Sequence, residues 1–155
     1  MNRTVFALAT VMMLLFFVLS NYDRFFFSLH FLEALIYIVV LLLLFYGVED
    51  WAYVIGVVAP LFWIVLTLLS GASVPGLRAL WRLVSLQGVQ SPVNFLSGLI
   101  LLAALGLIVV SARSFHRDIW GRRGALRTAV LATVVVGIYY GVVVATLFHL
   151  ARPTS

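Results

Sequence analysis

Five long runs of apolar residues, none of them alternating with polar ones, constrain this chain more than any other feature. The run from Phe25 to Gly47 contains a single acidic residue, Glu33, and no arginine. Runs of this length face lipid rather than water. Backbone in lipid must satisfy its own hydrogen bonds, which leaves helices or a closed barrel, and the absence of period-two alternation excludes the barrel. Composition agrees: 65% of residues are hydrophobic and 10% charged, against about a quarter charged in soluble domains. The expected fold is all-α, a polytopic membrane bundle of five transmembrane helices plus one interfacial amphipathic helix, forming a single transmembrane domain over residues 1–155.

The spans fall at about 4–20, 25–47, 51–70, 93–111 and 126–150. The first resembles a secretory signal, with Val18 and Ser20 at plausible cleavage positions. Only a four-residue polar stretch separates it from the next span, so it is expected to be retained as an anchor. Pro60 sits near the middle of the third span and is expected to kink it. Residues 74–88 read as the amphipathic helix, with Ser73 as a cap, Pro75 in the first turn and Gly88 as a stop. Leu77, Leu80, Trp81 and Val84 recur there at helical spacing, which suits a helix lying in the membrane interface with Trp81 at headgroup depth.

Charge sets the expected orientation. All ten basic residues are arginine, and five of them, Arg113, Arg117, Arg122, Arg123 and Arg127, cluster between the fourth and fifth spans. The positive-inside rule accounts for this cluster better than nucleic-acid binding does, and no nucleic-acid partner is expected. The N-terminus is therefore placed in the cytoplasm and the C-terminus outside, in a bacterial inner membrane. The chain has no cysteine, which excludes disulfides, thiolate metal sites, iron–sulfur clusters and covalent c-type haem.

Four features rise above the apolar background. On the fifth span Thr133, Gly137, Gly141 and Ala145 stand four apart, a small-residue row that lets helix backbones approach in lipid. Whether that row packs within the chain or against another subunit is not legible. Glu33, an ionisable group at membrane depth, is a functional-site candidate. His30 lies one turn before it and Tyr37 one turn after, a polar strip on one helix face. His149 ends the fifth span on the same expected side as His30. The pair could ligate a haem b iron or, with Glu33, form a two-histidine, one-carboxylate metal site, although their depths differ by roughly 5–10 Å at 1.5 Å per residue. Finally Arg113, Arg117, Trp120, Arg122 and Arg123 suit contact with anionic lipid headgroups or an acidic partner.

No phosphate-binding loop, nucleophile elbow, zinc-protease motif or two-half transporter repeat is present. These absences, with so little extramembrane chain, favour a non-catalytic subunit that packs against and stabilises a larger membrane complex, of the sort found in respiration or photosynthesis. Bound lipids and other membrane subunits are the expected partners. Two alternatives follow from His30, Glu33 and His149: a haem b- or quinone-binding redox subunit, and a small proton- or cation-coupled transporter using Glu33.

Overall fold

The structure, a computed structural model, describes residues 2–24, 26–71, 73–85 and 91–150; for Ser73, Leu83, Val84 and residues 147–150 it describes the backbone alone. Six helices are present: α1 (Arg3–Tyr22), α2 (Phe27–Phe45), α3 (Glu49–Leu69), α4 (Ser73–Val84), α5 (Pro92–Asp118) and α6 (Ala125–Leu150). Five of them, all but α4, are long and apolar enough to cross a membrane. The polytopic helical bundle expected from hydropathy is the fold observed.

Local chemistry sets the helix ends. The Asn2 side chain accepts hydrogen bonds from the backbone amides of Thr4 and Val5 and so caps α1. Ser91 caps α5 in the same way through Asn94, with Pro92 in the first helical position. Gly47 ends α2 at φ 77°. Its amide reaches the Leu44 carbonyl while the Val48 amide reaches that of Leu43. This left-handed glycine stop reverses the chain within three residues.

Packing follows a seam on each helix. On α1 the buried residues Val5, Ala9, Met12, Phe16 and Leu19 alternate four and three apart, and on α5 Ile100, Ala104, Leu107, Ser111 and Ser114 do the same. Such a 3.5-residue repeat keeps one stripe facing the neighbours along the whole crossing. Helix α1 packs against α2 and α5, and α3 packs against α5 and α6. Pro60 lies within α3, buried. A proline there leaves the Gly56 carbonyl without its helical donor. Gly56 in turn is where α5 comes closest: a Cβ on it would lie 2.7 Å from Ser111 Oγ.

Three details differ from the hydropathy reading. Helix α5 does not stop at Ser111 but continues to Asp118, carrying Arg113, His116 and Arg117 on its last turns. At 27 residues it is about 40 Å long, roughly 10 Å more than the hydrocarbon core. The arginine-rich stretch is therefore half helix, and the connection to α6 shrinks to residues 119–124. Helix α4 divides its apolar residues between two faces: Val74, Leu77 and Trp81 are exposed while Gly76 and Ala79 are buried. Gly76 and Gly98 bring α4 and α5 together backbone to backbone, and a Cβ on Gly98 would fall 2.7 Å from the Gly76 carbonyl oxygen and 2.6 Å from Leu80 Cγ. The proposed stop at Gly88 lies outside the described residues. Lastly, the seam of α6 consists of Ala132, Val136, Tyr140 and Val143, whereas Thr133, Gly141 and Ala145 are exposed. Gly141 has open space around it and Gly137 only grazes Phe62. Thr133, Gly141 and Ala145 thus face away from the other described helices, with Gly137 at the edge of that face.

Candidate functional site

At the end of the bundle where α1 and α3 finish and α2 and α5 begin, a cavity of about 560 Å³ opens among the helices. Its volume lies within the range of small-molecule sites, about 300–1,000 Å³. Leucines and valines from α1, α2, α3, α5 and α6 contribute much of the wall. The polar part begins in the turn between α1 and α2. There Asp23 uses one carboxylate oxygen, Oδ1, to accept from the Phe26 amide at the entry to α2. The other, Oδ2, lies 3.5 Å from His30 Nε2. His30 Nδ1 is 3.0 Å from Glu33 Oε2. A carboxylate, an imidazole and a second carboxylate thus stand in a row leading inward, and the Glu33 side chain is only 5% exposed.

Helical spacing explains half of this row. His30 and Glu33 are three apart on α2, so their side chains meet without help from the rest of the fold. Aromatic rings fix the other half. Phe16 of α1 stacks on Tyr37 with ring centres 5.7 Å apart and on His30 at 6.4 Å. Trp63 of α3 meets Phe16 edge to face at 5.7 Å, a favoured aromatic geometry. On the α6 side, the Tyr139 hydroxyl donates to the carbonyl of Leu32, one residue before Glu33. Tyr140 stacks on Phe62 at 5.6 Å and lines the cavity. The hydroxyls of Tyr37 and Tyr140 adjoin each other and Glu33, yet both are buried without a completed hydrogen bond. Thr67 and Ser97, also in the wall, donate their hydroxyl protons to carbonyls of their own helices. Among the described residues, Asp23, Glu33, Asn94 and Tyr140 offer polar side-chain atoms to a bound molecule.

The polar strip expected on α2 is present, and its His30–Glu33 pair is bonded directly. Asp23, Phe16, Trp63 and Tyr140 were not legible as site residues, since they arrive from other segments. Asp23 left one signal: an acidic residue just ahead of the span that carries His30 and Glu33. The side chain of His149 lies outside the described residues, so its pairing with His30 does too. Among the described residues no group of three or more His, Asp or Glu side chains could hold a metal ion.

A second cavity, about 580 Å³, lies at the opposite end, between the start of α1, the start of α3 and the last turns of α5. It is polar: Tyr53 donates to Glu49 at 2.8 Å and Asn2 donates to Ser114 at 2.6 Å. Arg113 and Arg117 line it as well, with Arg117 forked onto its neighbour Asp118 at 2.7 and 2.9 Å. Trp120, Arg122 and Arg123 are exposed in the connection that follows.

Fold and site together define a multi-pass α-helical membrane protein with a carboxylate-bearing cavity set among its spans. No protein-family model, curated protein or solved structure matches the chain.

Proposed function

We propose that the protein is a small proton- or cation-coupled carrier in which Glu33 is the exchanging group. The observation that supports this most is the burial of Glu33 on an internal cavity while it is hydrogen-bonded to His30, which in turn lies 3.5 Å from Asp23 at the end of the bundle. A carboxylate at membrane depth is costly and is retained where it binds ions or protons. An imidazole with a carboxylate at each nitrogen can take a proton on one side and release it on the other. The row from Asp23 to Glu33 therefore serves as a three-group proton path. With the N-terminus cytoplasmic, as the arginines of α5 and its following connection favour, this path begins at the outer face and the second cavity faces the cytoplasm. Helix α3 lines both cavities, and its Pro60 lies between the two contact regions. That is where a bend could close one cavity while opening the other.

The test is proton movement across liposomes containing the purified protein, followed with a pH-sensitive dye after a gradient of sodium, potassium or tetraethylammonium is imposed. Glu33→Gln is expected to abolish flux with expression and helix content intact. Flux equal to that of the parent protein rejects the carrier reading.

A second reading is a non-catalytic subunit of a larger membrane complex. The outward-facing row of Thr133, Gly141 and Ala145 favours it, since a small-residue face without a partner among the described residues is suited to a helix from elsewhere.

A further inference from the structure

The geometry points to a substrate class for the cavity: an organic cation with a bulky apolar or aromatic body, which enters as Glu33 gives up its proton. This assignment rests on the carrier reading and goes beyond it by naming what is carried. Three features support it. The first is the sign of the charge. Among the described residues lining the cavity the titratable groups are Asp23, His30, Glu33 and Tyr140; α1, α3, α4 and α5 contribute none, and no arginine appears. Two carboxylates against one imidazole favour a positive guest, and an anion would meet Glu33 without a fixed counter-charge.

The second is the wall. Phe26, Trp63 and Tyr140 present aromatic rings to the same space as the carboxylates. Aromatic faces attract cations, most strongly where water is excluded. A bare metal ion needs several oxygen ligands around one point. Among the described residues no His, Asp or Glu cluster of that kind is present, and the wall's hydroxyls, on Thr67, Ser70 and Ser97, are turned to carbonyls of their own helices. A cation that carries its own apolar body satisfies both halves of the cavity at once. The third is Tyr140 itself. Its hydroxyl is buried beside that of Tyr37, and even where one of the two donates to the other, a second proton is left for something in the cavity to accept. A ligand with a polar nitrogen beside its charge would do so.

The exchange balances in charge: one proton leaves Glu33, through His30 and Asp23, as one cation arrives. Proton and cation compete for Glu33, so lower pH opposes binding.

The experiment is calorimetric titration of the purified full chain in detergent with tetraphenylphosphonium. Triphenylphosphine oxide serves as a neutral probe and tetraphenylborate as an anion of matching shape. The cation is expected to bind, more weakly as pH falls, and neither control should bind comparably. Glu33→Gln should weaken the cation by on the order of a hundredfold, as removal of a buried charge partner does. Asp23→Asn, in the turn outside the spans, is the second variant and should weaken it by a smaller factor. Binding of either control as tight as the cation's, or undiminished affinity in a folded Asp23→Asn or Glu33→Gln protein, overturns the assignment. The two claims fail separately: loss of proton flux in Glu33→Gln together with indifference to ligand charge leaves the carrier standing without this substrate. Charge-selective binding with unaltered flux leaves a cation site on a protein that is not a proton-coupled carrier.

Discussion

Gly56 and Ser111 show how little room separates α3 from α5. No β-carbon fits at Gly56 while the Ser111 hydroxyl stays where it is, 2.7 Å from that position; the Ser111 Cβ, at 3.4 Å, is far less of an obstacle. Gly56→Ala is therefore expected to destabilise the protein by about 1–3 kcal/mol through overpacking. Ser111→Ala, which removes only the hydroxyl, should recover most of that loss in the double variant. Thermal unfolding in detergent of the parent, both single variants and the double variant measures the coupling; additive effects would mean that the two residues do not oppose each other. Ser111 Oγ also lacks a hydrogen-bond partner, so its removal alone should cost little or even stabilise.

At the scale of elements, α4 is the helix whose placement sequence reading leaves open. Its amphipathic pattern is visible, as are its first-turn proline and Trp81, but the direction in which it presents each residue is not. Periodicity groups Leu77, Leu80 and Trp81 on a single apolar face, whereas the fold turns the small residues Gly76 and Ala79 inward and leaves Leu77 and Trp81 toward the surroundings. The reason is that α4 docks where α5 carries Gly98, whose missing side chain admits the Gly76 backbone and the Leu80 side chain together. Gly98→Leu is expected to push α4 away from α5, read as faster tryptic cleavage after Arg78 and Arg82 with the remaining spans still protected. An unchanged cleavage rate would mean that α4 is held by something other than this contact. The five spans were legible because hydropathy alone specifies them. The end of α5 was not, because Arg113 and Arg117 resemble a loop in composition although helical propensity carries the chain through them. The site was legible only where it lies along one helix: His30 and Glu33 declare themselves by spacing, while Asp23, Phe16, Trp63 and Tyr140 converge through packing that no local pattern encodes.

For the whole molecule, the open question in the sequence was which way the fifth span turns its small residues, and they turn outward. Purification from native membranes in mild detergent, with mass spectrometry of whatever accompanies the protein, measures what that face meets. Stoichiometric partners, lost in Gly141→Leu, are expected under the subunit reading; recovery of the chain alone would remove that reading and leave the carrier. The two readings are also mechanically connected. Helix α6 is held chiefly by α3 and touches α2 at few points, and one of those is the hydroxyl of Tyr139 on the Leu32 carbonyl. That latch ties the most peripheral span to the backbone beside the buried carboxylate. A neighbour that tilted α6 would pull on the latch, and proton occupancy at Glu33 would pull back, so assembly and binding would each sense the other.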